Sequence, residues 1–234
     1  MINGKPLKPA NVWLISLTEE QLKTMRPVRS LDIFDSAGGS LHPEGLYSTL
    51  TFGKVGSKER MLRFGYIDLN TTIFSPHYYR ELIKLKRIYQ GIMSGKVYAM
   101  FDPESKDFVK SNPVDGKTCY DFFLQHFDQI EMRKNSSKSR NELIDFIKSK
   151  RDKAFLRYHL VLPAGLRDVV IEDTGEVSED EMNTDYYKVL ISTANTLASL
   201  GKASTTDVAD GARWKLQRVA VELFLYLSQL TGSE

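Results

Sequence analysis

The chain has 234 residues, enough for one large domain or two small ones, with 41% hydrophobic and 26% charged residues. No apolar run approaches the roughly 20 residues that cross a bilayer, and the opening MINGKPLKPANVW lacks the apolar core of a signal peptide, so the expected setting is the cytoplasm with no membrane partner. The single cysteine, Cys119, excludes an intrachain disulfide, four scattered histidines offer no zinc spacing, and the net charge of +2 decides little because the charge is segregated along the chain.

Residues 14–26, LISLTEEQLKTMR, predict a short helix with Thr18 at its N-cap and acidic residues in its first turn. Residues 30–60 carry DSAGG, HPEG and KVGS, which read as turns joined by short extended pieces. Strand character follows at 61–69, MLRFGYIDL, and a helix at 76–92 that ends at Gly91 or Gly95. Residues 96–100 and 107–110 flank DPES and predict a hairpin. An aromatic helix at 120–130, a basic helix at 141–157 and a short extended piece at 160–163 complete the first two thirds.

From position 168 to 185 there are eight carboxylates with no Lys or Arg between them, and Gly175 predicts a bent loop with a glycine turn. Val169, Val170 and Ile171 stand where an EF-hand needs ligands, so the plain reading is a solvated acidic loop without metal. Beyond it, Tyr187, Leu190, Ile191, Ala194, Leu197 and Ala198 share a helical face that Gly201 ends. After the linker KASTTDVADG, a second helix repeats Ala212, Leu216, Ala220, Leu223, Leu227 and Leu230 at steps of four and three, like an a/d seam. Two such helices predict an antiparallel coiled-coil hairpin, with Val221, Phe224 and Leu225 off the seam and offered to another chain. The fold class expected is α+β: a mostly helical module with short strands and hairpins, an extended loop and a C-terminal coiled-coil hairpin.

The residues carry no catalytic motif. There is no phosphate-cradling Gly-Lys loop, no G-x-G-x-x-G, no nucleophile elbow and no H-E-x-x-H. Residues 133–157 hold nine basic side chains against Glu142, Asp145 and Asp152, a local surplus that suits phosphates and equally suits a solvated helix face. Tyr78, Tyr79, Tyr120, Phe122, Phe123 and Phe127 could stack bases, but at helical spacing they read as core, and His77 and His159 as structural.

Residues 160–190, LVLPAGLRDVVIEDTGEVSEDEMNTDYYKVL, resemble without a gap a stretch of the β′ subunit of multisubunit DNA-directed RNA polymerase. Val161, Leu162, Pro163, Leu166, Arg167, Val170, Asp173, Gly175, Asn183 and Tyr186 fall at that family's positions. HPEGLYSTLTFG at 42–53 resembles the family's P-E-x-x-G-L-F element, and RFGYIDLN at 63–70 its R-M-G-H-I-E-L strand, with Tyr66 in place of the histidine. The resemblance covers nearly the whole chain, although residues 100–155 match only in order and character.

What the resemblance implies is a clamp. Residues 1–159 would be the clamp body, 160–184 a lid-like loop, 185–230 the clamp-helix hairpin and 231–234 the start of a rudder-like segment. Arg167, Asp173, Gly175, Glu176 and Val177 of the lid, with Lys148 and Arg151 of the basic helix, would meet nucleic acid. Tyr187, Lys188, Lys202, Arg213, Trp214 and Arg218 would dock a promoter-specificity factor. The partners implied are the other polymerase subunits, DNA and the RNA–DNA hybrid. The family's N-A-D-F-D-G-D motif is not among these residues, so the catalytic Mg2+ is expected on a partner chain and no cofactor on this one.

Three departures bear on the expectation. Only residues 54–62 stand where the family carries a zinc ribbon; the first hairpin helix has almost no charge; and Glu176 replaces a lid-tip arginine. A small zinc-free β′ piece is similar to the divided polymerases of giant bacteriophages, with an engineered N-terminal fragment of a longer β′ as the runner-up. A free-standing DNA-binding or regulatory protein that mimics the clamp is the alternative.

Overall fold

The computed structural model describes residues 17–201 and 207–232. The elements run α1 (Glu19–Thr24), α2 (Thr49–Phe52), a 3-10 turn (Glu59–Met61), β1 (Gly65–Phe74), α3 (Pro76–Leu85), α4 (Arg87–Met93), β2 (Ala99–Asp102) and β3 (Asp107–Lys110). They continue with α5 (Tyr120–Phe127), α6 (Lys138–Ser149), a 3-10 turn (Arg151–Lys153), β4 (Phe155–Val161), a 3-10 turn (Ala164–Leu166), β5 (Val170–Ile171), β6 (Val177–Ser178), a π-helical turn (Met182–Tyr187), α7 (Lys188–Leu200) and α8 (Asp207–Thr231). Among the described residues, helices and three two-stranded antiparallel sheets make a mixed α+β fold, as expected. No helix among the described residues is long and apolar enough to cross a membrane.

Local chemistry sets the element ends. Thr18 caps α1 reciprocally: its hydroxyl accepts from the Gln21 amide (3.2 Å) and Gln21 Oε1 accepts from the Thr18 amide (2.9 Å). The single helix expected at 76–92 is two helices, because Lys86 takes an extended backbone and its ammonium pairs with Asp107. The break turns Tyr89 inward, where its hydroxyl donates to the same carboxylate at 3.0 Å. The basic helix expected to reach residue 157 ends at Ser149, and the aromatic, β-favouring FLRYHLV forms β4 instead.

β1 and β4 pair from Gly65 opposite Val161 to Phe74 opposite Phe155, with a bulge between Asp68 and Ile73 where Asn70 has φ +56°. Ile67 before the bulge, Leu69 within it, and Ile73 and Phe74 after it all reach the core. Phe74 is the hub: the Phe127 and Phe155 rings lie 4.9 Å from it, and Phe123 lies at 6.0 Å. The aromatic clusters on α3 and α5 are therefore core rather than base-stacking surface.

α7 packs on β1 and on α8, and α8 crosses β1, α3 and α5. The seam residues Leu216, Ala220, Leu223 and Leu227 are buried, and Leu230 is exposed. Both helices are thus built into the body. Phe224, expected on an open face, is buried beside the His77 ring with the Arg80 guanidinium 5.5 Å above it, while Leu225 does stay exposed. Gln217, wholly buried on α8, accepts from the Phe74 amide (2.9 Å) and the Tyr120 hydroxyl (2.7 Å) and donates to the Phe74 carbonyl (3.0 Å).

Candidate nucleic-acid and partner interface

The acidic loop is a hairpin. Val170 pairs with Ser178 and Ile171 with Val177, and Gly175 closes the turn at φ +82°, where a side chain would be strained. Glu172, Asp173, Thr174, Gly175 and Glu176 are exposed, and Val177 is half-buried. A hairpin with two-residue strands does not stand by itself. Its position is fixed at its base, by residues far apart in sequence.

Two buried arginines make that base. Arg60 holds Asp168 through two bonds, Nε to Oδ2 at 2.6 Å and Nη2 to Oδ1 at 2.8 Å. It also donates to the carbonyls of Gly53 (2.9 Å) and Tyr47 (3.0 Å). Arg167 donates to the carbonyls of Leu162 (3.0 Å) and Leu46 (2.7 Å) and to Asn183 Oδ1 (2.9 Å), and Asn183 returns a bond to the Arg167 carbonyl at 2.7 Å. The Arg167 guanidinium lies 4.8 Å from the Phe52 ring centre and 5.4 Å from that of Tyr187. Burial lowers it to about 10, against the pull of Tyr187 and Tyr47.

Glu179 closes the far side, accepting from the Tyr47 hydroxyl (2.7 Å) and the Lys188 ammonium (2.6 Å). Burial, and then the bond to Glu179, pushes the Tyr47 phenol well above its usual range, so it stays a donor. Tyr187, also buried, accepts from the Leu162 amide at 3.1 Å.

These bonds correct two expectations. Arg167 is 1% exposed with its bonds turned inward, so it does not present its charge to a phosphate. Tyr187 is equally buried and supports the hairpin base instead of facing a specificity factor. Of the other docking residues, Lys188 is committed to Glu179, and Arg213 donates to Thr71 Oγ1 at 3.1 Å. Trp214 is half-buried against Tyr79, and Arg218 is exposed with Glu222 at 3.9 Å. Lys202 lies outside the described residues.

The basic stretch divides the same way. Arg151 pairs with Asp128 and stacks over Phe127 (4.9 Å) and Phe155 (5.0 Å), so its place is structural. Lys134, Lys138 and Arg157 pair with Asp145, Glu142 and Asp68. Lys148, Lys150 and Lys153 have no ion pair among the described residues, and Lys148 and Lys153 are exposed. These lysines precede β4 and the acidic hairpin follows it, so the strand's length, about 20 Å at 3.3 Å per residue, separates the two. They are two surfaces of opposite sign rather than one patch. No group of three metal-ligating side chains occurs among the described residues.

Sequence reading missed Arg60 and Gln217, whose side-chain partners include residues 97 to 143 positions away, and gave no structural role to Asn183, which bonds Arg167 16 residues away. No protein-family model matches the chain, and no curated protein matches it.

Proposed function

We propose that this chain is the non-catalytic clamp subunit, equivalent to the N-terminal part of β′, of a DNA-directed RNA polymerase. One observation carries the reading. Arg167 and Asn183 both fall at matched positions of residues 160–190, and they bond each other in both directions across the base of the hairpin. A string that matches without a gap thus contains the pair that positions the loop the family uses as its lid. The hairpin would act as a steric wedge at the upstream end of the hybrid, since carboxylates at its tip repel phosphate. Lys148, Lys150 and Lys153 would neutralise phosphates of the held duplex. The exposed side of the α7–α8 pair, including Arg218, would dock a specificity factor. Nucleotide addition would belong to a partner chain that holds Mg2+ on the N-A-D-F-D-G-D aspartates.

Reconstitution tests this. Co-expressed with a chain bearing that motif, the protein is expected to co-purify in fixed ratio, and RNA synthesis should need both. A stable monomer that ignores such a chain and competes with initiation factors on another polymerase would instead establish the clamp-mimicking regulator.

A further inference from the structure

Exposed apolar side chains gather beside the hairpin base. Leu50 on α2, Met61 and Leu62 at the 59–61 turn and Leu166 at the 164–166 turn are each about half exposed, and Val55 in the connecting turn is more so. The three elements touch in sequence, α2 on the first turn and the first turn on the second. At their junction Gly165 leaves no room for a β-carbon beside Met61 Sδ and the Arg60 carbonyl, so the two turns pack closely on each other. The ridge leaves on the order of 400 Å² of apolar surface in water, the size of the largest apolar patch on a typical single chain, which is often a functional one.

The charges around it select the occupant. Lys54, Lys58 and Arg63 are exposed and have no ion pair among the described residues. Glu59 is the one exposed carboxylate within 54–63, and Asp168 is already held by Arg60. Covering the ridge therefore brings three cations to an interface, which is favourable when the partner supplies carboxylates. A phosphate backbone would answer the cations but gain nothing from aliphatic side chains. A lipid surface favours a long amphipathic helix, whereas here the ridge is a four-residue helix and two 3-10 turns.

We infer that the ridge of Leu50, Val55, Met61, Leu62 and Leu166 docks an acidic, apolar-sided segment of another protein chain. The partner's identity as a polymerase subunit rests on the proposed function. The test is retention of the co-expressed polymerase chains on the tagged full chain, compared with Leu62→Asp/Leu166→Asp and with Lys54→Glu/Lys58→Glu/Arg63→Glu. All five positions are exposed, so unchanged melting temperatures establish that both variants fold. Each variant is expected to lose retention roughly tenfold or more. If both retain the chains as the wild type does, the ridge is not the docking surface and the polymerase reading stands. If the wild type retains nothing, the polymerase reading fails and this inference fails with it. Three further probes are a DNA duplex, vesicles of phosphatidylcholine and phosphatidylglycerol, and sedimentation of the chain alone. Binding or dimerisation that Leu62→Asp/Leu166→Asp abolishes would give the ridge a different occupant and overturn the inference.

Discussion

Gln217→Leu is the sharpest test of how the C-terminal helix is held. Leucine keeps the size of the side chain but removes three hydrogen bonds in a fully buried site. The Phe74 amide keeps a partner, because the Tyr120 hydroxyl oxygen lies 3.0 Å away. The Phe74 carbonyl and the Tyr120 hydroxyl proton both lose Gln217. At about 1–3 kcal/mol for each buried polar group left unpaired, the loss is about 2–6 kcal/mol. For a chain of this size each kcal/mol moves the melting temperature by about 2–4 °C. Tyr120→Phe removes the stranded hydroxyl but also takes the last acceptor of the Phe74 amide, so in the Gln217→Leu background one stranded group replaces another and no relief is expected. Urea unfolding followed by circular dichroism measures all three variants. A Gln217→Leu stability within about 0.5 kcal/mol of wild type would refute the assignment.

Three further outcomes follow from named residues. Burial pushes His159 down to about 4, so between there and about 6.5 the unfolded chain binds a proton that the folded chain refuses. Stability is then full above about pH 6.5 and falls as pH drops towards 4, by up to about 3 kcal/mol; half-buried His77 is lowered too, so the slope should shrink, not vanish, in His159→Gln, and an unchanged urea-midpoint slope would sink the assignment. Replacing Lys148, Lys150 and Lys153 by Ala should reduce the salt dependence of DNA binding by about 0.9 for each phosphate no longer neutralised; an unaltered slope in a titration against salt would mean that these lysines do not meet DNA. Asp168→Asn strips Arg60 of its neutralising carboxylate, so the Glu172 amide, which donates across the hairpin to the Glu176 carbonyl, should exchange hydrogen faster than in the wild-type chain, and unchanged exchange would show that the hairpin does not depend on this pair.

What could be read from the sequence was what depends on neighbours a few residues apart. The Thr18 cap, the Gly175 turn, the DPES hairpin and the apolar faces of α7 and α8 all lie within one or two turns of chain, and all are in the structure. What could not be read depends on distance in sequence. Arg167 looked like a cation for phosphate because sequence reports charge and not burial; its partners come from residues 46, 162 and 183. The break at Lys86 needed Asp107, and the end of α6 needed β1 to pair with the following segment. A heptad-like seam was correctly apolar, yet it could not tell a helix pair that stands free from one that lies on a sheet, because both bury the same stripe.

The buried arginines also set what the hairpin can do. A two-residue ladder contributes little stiffness, so the loop is only as rigid as its base. That base ties backbone carbonyls at positions 46, 47, 53 and 162 to two guanidinium groups, each donating in a fixed plane. Lysine at either place would offer one nitrogen where several diverging bonds are made. The tip carboxylates of Glu172, Asp173 and Glu176 are exposed, while the base uses Asp168 and Glu179. In the proposed clamp, this division of labour suits a wedge that excludes a strand by volume and by repulsion, with attraction left to the lysines at the other end of β4. A tip converted to Glu172→Lys/Glu176→Lys would attract the strand it is meant to exclude, while the base stayed intact.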